Sequence, residues 1–488
     1  MAEYVLLHPE PGKILSDQLF ALGIEFPCGG CSACGGCRVR LMSGTIPITE
    51  GMREALSEEE LGEGWRLACQ AETDGPVSLD IEQWSASILT DESRVAVEPS
   101  EGYGAVIDLG TTTLVVELVD LATGSVAGVL PGLNPQGRHG SDVMSRIEFD
   151  LREPGVLTSL IRRTLGAMLA ELVRGRKPRE VLICGNTVMH HLFCGESVEP
   201  LSHVPFRPSA PGERRFLAEE LGWPEETHGA AVTFLPCAGG FVGSDLLAGL
   251  IACGMHQSET PMALMDLGTN GEIALGGRNG ILCASTAAGP AFEGGRIRMG
   301  MRAGDGAIDR VEHDGSGLVC HVIGGSAPRG ICGSGLVDAA AVSLETGAIG
   351  ASGRLSNGAK SLSLAGAVSL SQADIRELQL AKGAVAAGME VLRQEAGTEA
   401  PRVSSLHLAG AFGNYVRTGS ARRIGLLPRW EAPVNPIGNS AVRGSRTLLL
   451  SPSRRQSLLD DLLRITRHVE LGANPEFQEA FVENMIFP

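Results

Sequence analysis

The 488-residue sequence has no apolar stretch approaching the ~18 residues needed to span a bilayer. Residues 1–13, acidic and proline-containing, are unlike a secretory signal. Positive charge is scarce: 40 Lys and Arg stand against 57 Asp and Glu, a formal charge of −17. A nucleic-acid binder normally carries a basic face to neutralise phosphates, so the composition argues against that class. No Walker A pattern is present, which removes a P-loop nucleotide site. From these absences we expect a soluble, cytoplasmic protein with neither nucleic acid nor membrane among its partners.

Glycine, by contrast, is abundant: 65 residues, nearly twice the usual ~7%. The length predicts about three folding units, and composition divides the chain accordingly. Residues 1–84 read as a small α+β unit with strands at Tyr4–Leu7, Arg38–Met42 and Val77–Ile81 and helices near Ile14–Leu22 and Ser57–Leu61. Residues 85–103 lack a sustained period and suit a linker. Strands and helices then alternate to the end, as in α/β proteins. Here an internal echo sets two lobes, 104–257 and 258–488.

Five of the twelve cysteines fall early in the chain. Cys28, Cys34, Cys37 and Cys69 give C-x5-C-x2-C and a distant fourth thiolate. Gly29, Gly30, Gly35 and Gly36 let the loop turn its amides inward, where they stabilise charge on cluster sulfides. This pattern closely resembles the binding loop of [2Fe–2S] ferredoxins of the β-grasp fold. Cys31 adds a C-x2-C-x2-C-x2-C reading that keeps a [4Fe–4S] cluster open, although the extra spacer and proline of that motif are missing. Zinc held by four thiolates is the third possibility. The seven later cysteines sit singly and read as small buried hydrophobes.

The echo is specific. Ala105–Glu117 reads AVIDLGTTTLVVE and Ala263–Gly276 reads ALMDLGTNGEIALG, each a strand, an Asp-Leu-Gly-Thr turn and a second strand. Gly110 and Gly268 let backbone approach an anion. Thr111, Thr112, Thr269 and Asn270 offer amides and polar side chains to phosphate oxygens. Asp108 and Asp266 are placed to meet Mg²⁺ from two sides, through water. Further echoes pair Gly140–Val143 with Gly243–Leu246 and Val181–Thr187 with Leu406–Phe412. Gly330, Gly333 and Gly335 are expected to leave a flat surface for an adenosine, with Gly410 closing the other side. Asp245 and Glu272 are candidates for orienting the hydrolytic water. His190 and His191, tempting as cobalt ligands, are read instead as packed helix residues.

These pieces, in this order, resemble the actin–hexokinase–heat-shock ATPase superfamily. Joined to a ferredoxin-like segment, they resemble the ATP-dependent reductive activators of corrinoid proteins. Asn134–Gly137, Gly185–His191, Phe241–Asp245, Asp266–Glu272, Ala288–Glu293, Gly330–Leu336, Ala409–Gly413 and Ile424–Pro428 carry the likeness along nearly the whole chain. Larger members have an extra domain after the ferredoxin, where only a short linker stands here. The implied fold is an α+β β-grasp ferredoxin-like domain followed by an α/β duplicated RNase H-like (actin-like ATPase) two-lobe domain. The implied cofactors are a [2Fe–2S] cluster, ATP and Mg²⁺. The implied partners are a corrinoid protein of a methyltransferase system and an upstream electron donor. The implied activity returns Co(II) to Co(I) by one electron. A plant-type cluster near roughly −400 mV is too weak a reductant for that step unaided, which gives ATP its role. Two alternatives share parts of this pattern: an ATP-driven electron donor to another iron–sulfur enzyme such as a dehydratase, and a sugar-kinase-like phosphotransferase.

Overall fold

The computed structural model describes residues 4–8, 15–24, 26, 35–81, 95–397, 403–472 and 474–488. The first unit is a four-stranded sheet of β1 (Tyr4–Leu7), β2 (Arg38–Ser43), β3 (Trp65–Leu67) and β4 (Val77–Asp80). The order is β1-β4-β2-β3 and every pairing is antiparallel. Leu19 from the helix Leu15–Ala21 joins Val39, Met52, Leu67 and Leu79 in a core of its own. The expected acidic helix is present as Glu58–Gly62. Its start is set by a capping box in which the Ser57 hydroxyl and the Glu60 carboxylate each accept a backbone N–H of the other.

The two later sheets are wound alike. β5 (Tyr103–Leu109), β6 (Thr113–Asp120) and β7 (Val126–Leu133) form an antiparallel meander, after which β8 (Pro178–Gly185) returns parallel to β5. β9 (Arg214–Leu217) and β10 (Ala231–Phe234) complete the order β7-β6-β5-β8-β10-β9. In the second lobe β11 (Met262–Leu267), β12 (Gly271–Gly277) and β13 (Gly280–Thr286) repeat the meander. A three-stranded sheet of β14 (Ala307–His313), β15 (Leu318–Val322) and β16 (Gly330–Ile331) follows, then a hairpin of β17 (Ser361–Ala365) and β18 (Val368–Ser371). β19 (Leu406–Ala409) then returns parallel to β11, with β20 (Val434–Pro436) beside it and β21 (Thr466–His468) on the far edge. A meander joined by parallel crossovers, made twice, is the duplicated RNase H-like architecture expected from the Asp-Leu-Gly-Thr echo.

Both faces of these sheets are covered, which is why their central strands read as apolar runs rather than alternating ones. One face of each lobe packs on that lobe's own helices. The opposite faces meet between the lobes, where Val106, Leu182, Leu264 and Ala274 share a core with the helices Ser244–Ala252 and Ser440–Leu449. A buried ion pair of 3.0 Å between Arg446 and Glu117 ties the second of these helices to β6. The helix Ser244–Ala252 begins hard against the end of β8. A Cβ on Gly243 would stand 2.0 Å from the Gly185 carbonyl oxygen, so only glycine fits. Residues 95–102 lie along the lobes, with the Glu98 N–H donating to the Leu450 carbonyl at 2.8 Å. Among the described residues no helix is long and apolar enough to cross a membrane.

Candidate functional site

The turn after β5 closes with the Gly110 N–H donating to the Thr113 carbonyl at 3.1 Å. A Cβ on Gly110 would fall 2.5 Å from that oxygen. The turn after β11 is closed one residue sooner, Gly268 N–H to Asn270 O at 3.1 Å. Each tight turn therefore thrusts its polar residues past the strand end, and the duplicated winding aims the two turns at one another. They meet: the Thr112 and Thr269 hydroxyls are 2.8 Å apart across the cleft. Around them is a cavity of about 840 Å³, lined by Asp108, Gly110, Thr111, Thr112, Asp245, Asp266, Gly268, Thr269, Asn270, Glu272, Gly333 and Gly410. Residues from both lobes and from motifs more than 300 positions apart thus share one chamber.

Two of the expected adenosine glycines do not line it. Gly330 is buried, and a Cβ there would meet the Met299 carbonyl at 2.6 Å. Gly335 is also buried, 2.1 Å from the Ile308 carbonyl by the same construction. Both are glycine because backbone passes close by, so the flat surface expected of them is corrected. Gly333 is also pressed by backbone, a Cβ there falling 1.9 Å from the Phe292 carbonyl, but it does border the cavity, beside the stacked rings of Phe292 and Phe412, whose centroids are 4.7 Å apart.

Asp266 and Glu272 are paired directly across β11 and β12, Asp108 is the penultimate residue of β5, and Asp245 lies in the first turn of its helix. Burial raises all four carboxyls. Asp108 is pushed up to about 6, opposed by a 3.0 Å hydrogen bond from Asn439 Nδ2. Asp266 rises to about 7, first through burial and then through the charges of Asp108 and Glu293. Asp245 and Glu272 are raised by burial and by repelling the other acids. Among the described residues no three His, Cys, Asp or Glu side chains converge closely enough to grip an ion directly. Such a ring of acids, reluctant to ionise alone, fits Mg²⁺ held through its own waters, the habit of that hard and strongly hydrated cation.

The pH dependence follows. A carboxyl whose folded pKa exceeds its unfolded value favours the native state while protonated, and that advantage is lost as pH rises through the folded pKa. Protons would therefore compete with a Mg²⁺ seated at Asp108 and Asp266, up to about pH 6 and about pH 7. We expect the rise in Tm produced by Mg²⁺ to be small at about pH 5 and to grow through this window, measured by calorimetry at constant ionic strength. A Mg²⁺-induced shift that shrank as pH rose would contradict the assignment.

Several contributors to the site were given no role in it from the sequence, although Asn134, Asn186 and Glu293 lie in the stretches that carry the family likeness. Asn186 donates to the Thr111 hydroxyl at 2.8 Å, and Asn134 Nδ2 to the Gly110 carbonyl at 2.8 Å. Arg146, fully buried, donates to the carbonyls of Thr111 and Gly140 and so braces the first turn from behind. Glu293 accepts from the Thr269 hydroxyl at 3.2 Å. Asn439, from the lobe opposite Asp108, precedes its helix as an N-cap, the one local signal that could have flagged it. His190 and His191 are buried and bonded to the Gly212 and Thr187 carbonyls, as packed residues should be.

In the first unit the Ala68 N–H donates to the Cys37 carbonyl at 2.8 Å, so Cys37 and Cys69 stand on adjacent segments. Gly35 has φ +62°, a left-handed turn that glycine adopts freely. Cys28, Cys31 and Cys34 lie outside the described residues. Two cysteines on hydrogen-bonded segments beside a glycine turn fit half of a cluster's ligand set.

Known proteins share these features. Residues 4–73 match a family profile described as a 2Fe-2S iron-sulfur cluster binding domain. Residues 103–258 match the middle region of RACo, and residues 260–488 match the C-terminal domain of RACo, the ASKHA domain. The corrinoid activation enzyme RamQ of Eubacterium limosum is 34% identical over 420 residues, 79% of this chain and 70% of that protein. A reductase of the Co(II) methylated amine-specific corrinoid protein, from Methanosarcina barkeri, is 27% identical over 399 residues, 75% of this chain and 73% of that one. The solved structure of a reductive activator for a corrinoid, iron–sulfur protein superposes with a TM-score of 0.71 and 25% identity, covering 99% of this chain and 96% of that one. With two like-wound lobes closing on an acidic cleft and a ferredoxin unit on the same chain, this protein belongs to the family of ATP-dependent reductive activators of corrinoid proteins.

Proposed function

We propose that this chain uses ATP to deliver one electron to the Co(II) corrinoid of a partner protein, regenerating the Co(I) state needed for methyl transfer. One observation carries the reading. A threonine-floored, acid-lined cleft between duplicated lobes stands in the same chain as a ferredoxin sheet whose Cys37 and Cys69 segments are bonded together. When bound, the iron–sulfur cluster supplies a one-electron couple and Mg²⁺–ATP supplies the free energy.

The residues divide the work. Asp108 and Asp266 hold the waters of the cation, while Thr111, Thr112, Thr269 and Asn270 receive the phosphates around the open turns of Gly110 and Gly268. Gly333 and Gly410 border the nucleoside end. Asp245 and Glu272, both with raised pKa, orient the hydrolytic water, and the one that is ionised accepts its proton. Cys28, Cys34, Cys37 and Cys69 hold the cluster, refilled by an upstream one-electron donor. Because ~59 mV of deficit is a factor of ten for one electron, nucleotide-driven rearrangement has to favour the arrangement in which Co(I) is the more stable product. The protein works in the cytoplasm, where thiols stay reduced.

The test is anaerobic mixing of the reduced protein with Mg²⁺–ATP and a Co(II) corrinoid protein, followed by absorption. Formation of Co(I) supports the reading. Stoichiometric phosphorylation of a small molecule, or reduction of an iron–sulfur dehydratase in place of the corrinoid, contradicts it.

A further inference from the structure

The ferredoxin unit is fastened to both ATPase lobes, and each fastening grows out of a phosphate turn. On the first lobe, the Asn134 N–H donates to the Thr112 carbonyl at 2.8 Å and its side chain to the Gly110 carbonyl. Four residues on, Arg138 pairs with Asp17 of the ferredoxin helix Leu15–Ala21, its guanidinium 5.9 Å from the centre of the Phe20 ring. On the second lobe, Thr269 donates to Glu293 at 3.2 Å. Five residues on, Arg298 pairs with Glu60 of the ferredoxin unit at 2.8 Å, and Glu60 also holds Arg38 at 2.6 Å. Arg38 directly follows Cys37. A further bond of 3.0 Å joins Arg329 to Asp80.

The Thr112 and Thr269 hydroxyls touch at 2.8 Å, so a phosphate group seated between the turns has to part them. A parting carried by the turns themselves, rather than by rotation of the two threonine side chains alone, would move the segments of Arg138 and Arg298 relative to one another and strain a ferredoxin unit paired with both.

We propose that Arg138 and Arg298 are positioning residues that hold the ferredoxin unit across the two lobes, so that docking of this unit and binding of nucleotide oppose each other. The inference rests on the reading of the cleft as an ATP site. Its consequence for electron delivery is direct: nucleotide frees the ferredoxin unit from one lobe, and Arg38 with its neighbour Cys37 changes position with it. By linkage, whatever nucleotide does to docking, docking does to nucleotide affinity.

The test uses the full-length, cluster-loaded protein and a non-hydrolysable ATP analogue with Mg²⁺, titrated by calorimetry. Arg138→Asp and Arg298→Glu each remove a partly exposed ion pair, and each is expected to tighten nucleotide binding by about two- to five-fold. Adding Asp17→Arg to Arg138→Asp recreates the pair with its charges exchanged and is expected to return the affinity to the wild-type value. A merely structural role for Arg138 would not produce that rescue. Single variants that bind as wild type does, or more weakly, overturn the proposal while leaving the ATP reading intact. A wild-type protein that binds no nucleotide overturns both.

Discussion

Replacing Asp266 by alanine is expected to lower ATP hydrolysis by roughly 10²- to 10³-fold while leaving the visible spectrum of the iron–sulfur cluster unchanged. The magnitude is that of removing one preorganised electrostatic contact from a water-poor site. Asp266 sits where the lobes converge. The Ser440 hydroxyl donates to its carboxylate at 3.4 Å, Glu272 is its cross-strand partner, and a Cβ on Gly410 would come within 3.0 Å of it. The spectrum should survive because the ferredoxin unit has a separate core, to which no residue of β11 contributes. Asp266→Asn keeps the volume and removes the charge, so it separates loss of the cation from loss of packing. Unchanged turnover in the asparagine variant would contradict the role given to this carboxylate.

The converse experiment acts on the other end of the molecule. Cys69→Ser is expected to abolish the cluster's EPR signal and to reduce electron delivery to background, with ATP hydrolysis retained. A serine oxygen is a harder and more weakly binding donor to iron than thiolate. Cys69 lies in the turn Ala68–Gln70, whose first N–H is already committed to the Cys37 carbonyl, so the turn is positioned by backbone and should persist in the variant. Retention of the full signal would show that Cys69 is not a ligand. Together the two variants are expected to separate hydrolysis from electron transfer in opposite senses.

How much of this could be seen beforehand depended on whether the cause was local. The Asp-Leu-Gly-Thr turns were legible because a strand, a tight glycine turn and a second strand are one continuous stretch, and two copies of it imply two matching lobes. Gly330 and Gly335 were misread because a missing Cβ has the same spelling whether it makes room for a ligand or for a neighbouring carbonyl. The 3.0 Å hydrogen bond from Asn439 to Asp108 and the buried pair of Glu117 with Arg446 span more than 300 positions, and no spacing rule reaches that far. Arg146 was hidden differently: an arginine in an amphipathic helix reads as surface until the fold turns it beneath the Thr111 carbonyl. The fastenings at Asp17, Glu60 and Asp80 likewise looked like ordinary surface acids in a chain rich in them.

The most direct measurement is the amount of Co(I) formed at equilibrium when the reduced protein meets a Co(II) corrinoid protein, at one fixed reductant potential, with and without Mg²⁺–ATP. The account predicts little Co(I) until nucleotide is added and a clear rise afterwards, absent in Asp266→Asn and in Cys69→Ser. Equal Co(I) in both conditions would contradict it.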